Sequence, residues 1–240
     1  MIIQNNTKYS SKKQQVETMF DKIANRYDFF NHFFSFGIDK IWRKKTIDIL
    51  REHKPEKILD IATGTGDLAI EAIRLNPKSI VGIDISEGML KIGREKIKKK
   101  GLQSIIEIKK GDAENLEFKD ENFDAVIVAF GVRNFEHLDT GLNEIFRVIK
   151  KNGYVVILEF SKPRNYLIKL LYSFYFNVYL PITGKIFSSD KEAYTYLPES
   201  VKSFPDGVEF LHKLMNAGFV QTKQIFLSFG IASIYIGKKR

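Results

Sequence analysis

KILDIATGTGD, residues 57–67, is the stretch of this chain that predicts the fold most directly. Residues 57–62 are mostly apolar, which indicates a strand buried in the interior of a parallel sheet. A helix is predicted from Asp67 to Leu75, so Gly64 and Gly66 lie in a turn between strand and helix. Glycines at such a turn let backbone N–H groups approach a ligand closely. This order of elements is typical of the start of a doubly wound α/β domain.

The same alternation of apolar runs and helical stretches continues toward the C-terminus. The last two predicted strands are separated by only three residues, and a parallel pair needs a connection of about a dozen or more. They must therefore form an antiparallel pair. The prediction is an α/β fold with a Rossmann-like seven-stranded sheet whose last β pair is antiparallel. The strands are predicted at 57–62, 80–84, 105–109, 123–130, 154–160, 219–227 and 231–237, with helices at 67–75, 86–100 and 139–150.

The whole chain, residues 1–240, is predicted to form a single domain with two additions, because 240 residues suit one extended α/β domain. A helical cap, 9–54, precedes the core at 57–160. An insertion rich in Tyr, Phe and Leu, 161–205, separates the fifth strand from the closing β pair at 219–237.

Composition and charge limit the compartment and the partners. Lysine and arginine number 38 against 29 acidic residues, a net charge of +9, but no basic run is interleaved with aromatic residues as in RNA-binding proteins. No nucleic-acid partner is therefore predicted. The absence of cysteine excludes disulfides and thiolate metal sites and favours a reducing cytoplasm. No metal site is expected either, because the four histidines lack metal-binding spacing.

The glycine loop alone fits two cofactors. Gly64-x-Gly66-x-x-Ala69, with Asp84 twenty residues beyond Gly64, satisfies a relaxed fingerprint for dinucleotides such as NAD. However, Asp60 and Asp67 bracket the loop with negative charge. That charge would repel a pyrophosphate and would attract the ammonium and sulfonium groups of S-adenosylmethionine. The acidic sequence after the third strand, Gly-Asp-Ala at 111–113, and the antiparallel closing pair also favour S-adenosylmethionine.

These motifs together resemble the class I S-adenosylmethionine-dependent methyltransferases. The resemblance rests on D-x-x-x-G-x-G-D at 60–67, on Asp84 at the end of the second strand, and on Gly-Asp-Ala at 111–113. It implies that Asp84 binds the ribose hydroxyls of the cofactor and that Gly64, Thr65 and Gly66 surround its methionine part. It also implies that Asp112 and Ala113 lie on either side of the adenine.

Longer motifs resemble the UbiE/MenG family of ubiquinone and menaquinone biosynthesis C-methyltransferases. Residues 27–42, YDFFNHFFSFGIDKIW, match its N-terminal signature Y-D-x-M-N-x-x-[LIVM]-S with H and W following, except at Phe30, Phe34 and Asp39, the last of which replaces the histidine. Residues 147–153 match R-V-x-K-P-G-G except at Lys151 and Asn152, and the E-x-S that follows is present as Glu159 and Ser161. The sequence Phe130-Gly-Val-Arg-Asn134 matches F-G-[LV]-R-N.

The resemblance implies methylation of a ring carbon of a prenylated quinol, with demethylmenaquinol preferred and a ubiquinone precursor left open. Arg133 would stabilise a quinolate oxygen, and Asn134 and Tyr27 would orient it. An RNA methyltransferase and a non-catalytic cofactor-binding subunit are the alternatives. A homodimer is also left open.

The longest uncharged stretch, 170–184, is too short to span a bilayer and contains Pro181. The expected location is thus the cytoplasm, with peripheral contact at the inner face of the membrane left open. Residues 166–187 form either an interfacial helix or one buried against the sheet.

Overall fold

The computed structural model describes residues 9–35, 37–174 and 191–240. A seven-stranded sheet runs through the molecule in the order β3-β2-β1-β4-β5-β7-β6, and β7 pairs antiparallel with both of its neighbours. The predicted α/β sheet with an antiparallel closing pair is confirmed. The strands are β1 (Lys57–Ile61), β2 (Ser79–Asp84), β3 (Ile106–Lys110), β4 (Phe123–Ala129), β5 (Ile149–Phe160), β6 (Val220–Leu227) and β7 (Ala232–Lys238).

Helices cover both faces of the sheet. On one face Leu142 and Phe210 belong to an apolar cluster with the sheet, and on the other Trp42, Leu68 and Leu90 belong to a second cluster. A sheet covered on both sides needs strands that are apolar throughout, as β1 and β4 are. The helices are α1 (Lys12–Phe34), α2 (Ile38–Asp48), α3 (Asp67–Ala72), α4 (Glu87–Lys99), α5 (Leu138–Val148), α6 (Tyr166–Phe174), α7 (Lys191–Ser203) and α8 (Val208–Asn216).

The start of β5 differs from the sequence prediction. Helix α5 ends at Val148 instead of continuing to residue 150, and β5 begins at Ile149 instead of residue 154. Asn152 has a φ of 64°, a left-handed conformation that asparagine tolerates better than most residues with a side chain. Asn152 therefore replaces the glycine of the family motif with little effect on the backbone.

Helix α4 packs closely on the glycine loop through Gly93. A Cβ at this position would lie 2.5 Å from Cδ1 of Ile108 and 3.1 Å from the carbonyl carbon of Thr65. Ser86 caps the same helix, because its hydroxyl accepts a hydrogen bond from the backbone N–H of Met89. The loop between β1 and α3 is thus fixed from one side by the backbone of α4.

We predict that Gly93→Ala destabilises the protein, although glycine-to-alanine changes in helices usually stabilise by about 0.5–1 kcal/mol. The new methyl group must displace Ile108 or the Thr65 backbone, and such overpacking costs about 1–3 kcal/mol. Urea unfolding followed by circular dichroism measures the change. Lys91→Ala, at an exposed position of the same helix, is the control and should change stability little. A Gly93→Ala protein as stable as the wild type would contradict the predicted close packing.

Candidate functional site

A pocket opens at the carboxyl ends of the central parallel strands. Its empty volume is about 700 Å³, open mouth included, which is the size of a site for a nucleoside-containing ligand. Ala62 after β1 and Phe130 after β4 line it, and both adopt a left-handed backbone with φ of 54° and 59°. Non-glycine residues hold this conformation where the surrounding structure imposes it, often at functional sites.

Only one of the three residues expected around the methionine part lines the pocket. Gly64 does so, with a φ of 56° that suits glycine. Thr65 is buried beneath the loop, where its hydroxyl accepts a hydrogen bond from Lys96 at 3.0 Å. Gly66 precedes α3 with a φ of 80°. Gly64 is thus the residue of this loop that a ligand in the pocket would meet, while Thr65 and Gly66 shape the turn.

Asp84, at the end of β2, lines the pocket and is held by two backbone hydrogen bonds. Its Oδ2 accepts from the N–H of Gly64 at 2.8 Å, and its Oδ1 accepts from the N–H of Ser86 at 2.9 Å. Burial raises the pKa of Asp84 to about 6, although these hydrogen bonds oppose the shift. Each carboxylate oxygen can still accept a second hydrogen bond. The geometry suits a ligand with two neighbouring hydroxyl groups, such as a ribose.

Asp112 and Ala113, predicted to frame the adenine, both line the pocket. The Oδ1 of Asp112 accepts a hydrogen bond from the N–H of Glu114 at 2.9 Å. Its Oδ2 lies 2.5 Å from the Nζ of Lys13, which comes from the first turn of α1. Sequence reasoning did not identify Lys13, because one lysine in a polar N-terminal segment carries no distinctive pattern. A cofactor amino group would meet Asp112 beside this cation.

The two acidic residues that bracket the glycine loop have different environments. Asp67 does not act as an open negative charge, because it pairs with Lys96 and lies 3.8 Å from Arg43. The charge argument made from the sequence is therefore wrong for Asp67. Asp60 is 1% exposed, and burial raises its pKa to about 7. Its Oδ2 accepts a hydrogen bond from Thr63, whereas its Oδ1 has no partner within the described structure. Asp60 does not itself line the pocket, so it would attract a cationic ligand group by its charge and not by contact.

Arg133 is buried in an ion pair rather than exposed in the pocket. Its Nη1 lies 2.7 Å from Oε1 of Glu159 and also donates to the carbonyl of Phe130, and the two charged side chains are 6% and 0% exposed. Burial raises the pKa of Glu159, and Arg133 opposes that shift. The pair thus joins the end of β5 to the loop after β4. This paired position differs from the direct contact with a quinolate oxygen that the resemblance implied for Arg133.

Asn134 and Tyr27, the other two predicted catalytic residues, both line the pocket. The Oδ1 of Asn134 accepts a hydrogen bond at 3.0 Å from Tyr196, a buried residue of α7 that sequence reasoning missed. Burial raises the pKa of Tyr196 to about 12, so its hydroxyl stays protonated and acts as a donor. Tyr196 thus fixes the amide oxygen, while the amide Nδ2 lies 3.5 Å from the carbonyl oxygen of Phe130 and keeps a second N–H for another acceptor.

Helix α1 forms one wall of the pocket and is fixed by polar contacts with the core. The Nζ of Lys12 donates to the carbonyl oxygens of Arg133 and Phe135 at 3.0 and 2.6 Å. Farther along α1, Asp21 accepts hydrogen bonds from the hydroxyl of Ser86 and the backbone N–H of Gly88. Because these backbone and hydroxyl donors lie at the N-terminus of α4, they attract a carboxylate. The helical cap is thus part of the site.

Asp39, which stands where the family signature has a histidine, is buried among residues that support the fold. It is 3% exposed, pairs with Arg43 four residues later, and accepts a hydrogen bond from Ser35 at 2.6 Å. Arg43 continues this network to Asp67. Asp39 is absent from the residues that line the pocket, and its carboxylate supports α2.

The sequence matches the model of the ubiE/COQ5 methyltransferase family over residues 8–239. It is 46% identical to the demethylmenaquinone methyltransferase of Bacteroides fragilis over 229 residues, 95% of this chain and 94% of that one. It is 44% identical to the ubiquinone/menaquinone biosynthesis C-methyltransferase UbiE of Geobacter sulfurreducens, over 96% of this chain and 90% of that one.

A solved structure shares the fold at lower identity. It is an S-adenosylmethionine-dependent methyltransferase from Thermotoga maritima, described as a possible histamine N-methyltransferase. The two structures superpose with a TM-score of 0.64 at 22% identity, over 93% of this chain and 99% of that one. The likeness confirms the predicted class I methyltransferase architecture.

We predict that Asp84→Ala weakens S-adenosylhomocysteine binding at least about tenfold, because a charge-assisted hydrogen bond contributes about 1.5–3 kcal/mol. Wild-type affinity should fall about tenfold between pH 7 and pH 5, because a carboxyl with a pKa of about 6 becomes protonated there. Isothermal titration calorimetry measures both effects.

Asp84→Asn is the control for the pH effect. Asp60 also titrates in this range, with a pKa of about 7, so the difference between wild type and Asp84→Asn isolates the role of Asp84. The same pH dependence in both proteins would mean that Asp84 does not contact the ligand.

Proposed function

The chain belongs to the ubiE/COQ5 methyltransferase family, and we propose that within it this protein methylates a ring carbon of demethylmenaquinol. It is an S-adenosylmethionine-dependent C-methyltransferase of quinone biosynthesis. The observation that carries the narrower assignment is the combination of a nucleoside-sized pocket with the FGVRN loop after β4, where Phe130 and Asn134 line the cavity. The relatives from Bacteroides fragilis and Porphyromonas gingivalis, which are named demethylmenaquinone methyltransferases, support the choice of naphthoquinol.

The residues around the pocket fit the proposed cofactor. Asp84 offers acceptors for ribose hydroxyls, and Ala113 and Asp112 border the expected adenine position. Asp60 is buried outside the pocket lining and would attract the cationic groups of the cofactor by its charge, without contact. When bound, S-adenosylmethionine supplies an electrophilic methyl group, so the reactivity belongs to the cofactor. The protein contributes position and electrostatics.

On the acceptor side, the chain must favour the ionised form of a quinol hydroxyl, whose ordinary pKa is about 10. Loss of that proton increases electron density on the neighbouring ring carbon. The amide of Asn134, fixed by Tyr196, lines the pocket and keeps one N–H for a substrate oxygen, and Tyr27 borders the same space. Arg133 acts from behind this loop, because its charge is paired with Glu159. We propose that Asn134 and Tyr27 touch the substrate and that Arg133 positions them.

The charges at the pocket rim do not favour an RNA substrate. Lys13 is paired with Asp112 and Lys110 with Glu17, and the Nζ of Lys12 is hydrogen-bonded to two carbonyl oxygens. Phosphate binding needs cations that can exchange their partners for the nucleic-acid backbone. By contrast, Phe20 and Tyr27 of α1 line the pocket, and their side chains suit an apolar ring and its isoprenoid tail.

A prenylated substrate dissolves in the bilayer, so we propose peripheral contact with the membrane. In the described part of the chain, no helix is long and apolar enough to cross it. Within the segment 166–187, residues 175–187 lie outside the described residues. The outward apolar side chains of α6 are Tyr166, Leu167 and Leu170, whereas Tyr172 is half-buried.

The test of the proposed function is methyl transfer from labelled S-adenosylmethionine to short-tailed naphthoquinols and benzoquinols kept reduced. We expect a labelled C-methyl product, with the naphthoquinol preferred, and loss of turnover in Asp84→Ala. Incorporation into RNA, or into no quinol while the cofactor still binds, would refute the proposal.

The Arg133–Glu159 pair provides a second prediction. Arg133→Ala should destabilise the fold by about 3–5 kcal/mol, because it leaves a carboxylate buried without its partner. The double variant Arg133→Gln, Glu159→Gln removes both charges and should recover most of that stability. Chemical denaturation and turnover are measured on all three proteins.

If Arg133 only positions the loop, the double variant should keep cofactor affinity and most of its kcat. A double variant that is stable but at least about a hundredfold slower would instead show that the guanidinium charge acts on the reaction.

A further inference from the structure

The hairpin between β6 and β7 carries a phenylalanine that is almost fully exposed at its tip. Phe229 is 79% exposed, with φ of 60° and ψ of 23°, a left-handed conformation that residues with bulky side chains rarely adopt. Ser228 before it has a φ of 45°, and Gly230 after it has a φ of 92°. Both the backbone and the hydration of Phe229 are thus unfavourable in the isolated protein, which marks a functional surface.

The tip is held in this conformation from two sides. The indole N–H of Trp42 in α2 donates to the hydroxyl of Ser228 at 3.0 Å. The hydroxyl of Ser161, just after β5, donates to the carbonyl of Gly230 at 2.7 Å. Because these contacts come from buried residues, Phe229 is presented to solvent by a rigid support.

The tip lies at the same edge of the sheet as the pocket. Strand β7 pairs antiparallel with β5, with Phe160 opposite Ala232, so the hairpin emerges where β5 ends. The guanidinium carbon of Arg164, two residues before α6, lies 5.4 Å from the ring centre of Phe226. Helix α6 therefore begins beside the hairpin.

Exposed apolar side chains are concentrated at this edge. Among the described residues, nine large apolar side chains are exposed, and only Met215, near the end of α8, belongs to the opposite edge. Val208 is placed at the pocket edge because the preceding Gly207 lies against Arg164. The eight at this edge are Ile38, Ile41, Tyr166, Leu167, Leu170, Val208, Phe226 and Phe229.

Basic residues accompany these apolar side chains on the same segments. Exposed lysines and an arginine flank Ile41 on α2 and Leu167 on α6. One of these cations, Lys162, also forms an ion pair with Asp206. Apolar groups bordered by cations are what a surface offers to the boundary between acyl chains and anionic headgroups. The cations are Lys40, Lys44, Lys45, Lys162, Arg164 and Lys169.

We propose that this edge docks on the surface of an anionic phospholipid bilayer, with the side chain of Phe229 inserted among the lipids. The docking face is defined by Ile41, Tyr166, Leu167, Phe226 and Phe229. The inference deepens the proposed function and rests on it, because a quinol in the bilayer would then reach the pocket from the edge that faces the membrane. The element that enters the lipid is therefore the tip of the β6–β7 hairpin. The sequence had instead suggested the aromatic segment 166–187, which begins beside this tip.

The experiment compares Phe229→Asn with the wild type in cosedimentation with vesicles of mixed phosphatidylcholine and phosphatidylglycerol. Asparagine accepts the left-handed conformation better than phenylalanine does, so the variant should melt at the same or a higher temperature. Its vesicle affinity should nevertheless fall at least about fivefold, because one large apolar side chain no longer enters the lipid. A purely structural role of Phe229 would instead lower the melting temperature.

Two further variants sharpen the comparison. Ile41→Gln removes a second apolar side chain of the docking face from another element and should also weaken vesicle binding. Met215→Asn is the matched control, an exposed apolar residue at the opposite edge, and should bind like the wild type. High salt should weaken wild-type binding, since the flanking cations contribute.

The inference is overturned if Phe229→Asn binds vesicles as tightly as the wild type, or if the wild type binds none. It is also overturned if sedimentation velocity shows a wild-type dimer that dissociates in Phe229→Asn without any vesicle binding, since a second copy would then be the partner. Turnover of a soluble short-tailed quinol separates the two proposals. Vesicle binding without quinol methylation refutes the proposed function alone, and the reverse result refutes only the docking face.

Discussion

The parallel pairing of β1 with β4 is the constraint on which the site depends. After β1 the chain winds outward to β2 and β3, and it then returns to place β4 on the other side of β1. The connections therefore leave the sheet in opposite directions at this point, and a crevice opens beyond the strand ends. The backbones after both strands turn sharply there, at Ala62 and Phe130, and Gly131 approaches so closely that a Cβ would lie 2.5 Å from that of Ala62. No larger residue fits at this contact without displacing the pocket floor.

The buried charged residues around this crevice fall into two groups, those that form ion pairs and one carboxyl that does not. Glu159 and Arg133, and Asp39 and Arg43, are buried as pairs, which limits the desolvation penalty and ties neighbouring segments together. Asp60 is buried with one oxygen lacking a described partner and with a pKa raised to about 7. Such a group lowers the stability of the empty protein at neutral pH and favours a cationic ligand. The contrast separates the paired charges that support the fold from a buried carboxyl with one oxygen lacking a hydrogen-bond partner.

The fold was predictable because its signals are local. The apolar run of β1, the glycine turn and the three-residue link between the last strands each involve neighbouring residues, and the sheet has the predicted strands and closing pair. The cofactor side was predictable for the same reason at Gly64, Asp84 and Asp112, which directly follow strand ends and line the pocket. The predicted end of α5 was wrong because nothing in the sequence from 148 to 153 distinguishes a fraying helix from an early strand.

The sequence by itself determined the class of fold and the family, and it predicted several of the positions that line the pocket, since these follow from motifs with fixed spacing along the chain. Only the tertiary structure decided what the charged residues do. Whether Asp67 is open or paired depends on Lys96, 29 residues away, and the pairing of Arg133 depends on Glu159 from another strand. The tertiary structure likewise brought Lys13 to Asp112, Tyr196 to Asn134, and Phe229 to the pocket edge. Electrostatic roles depend on distance in space, and spacing along a sequence does not specify that distance for segments joined by long connections.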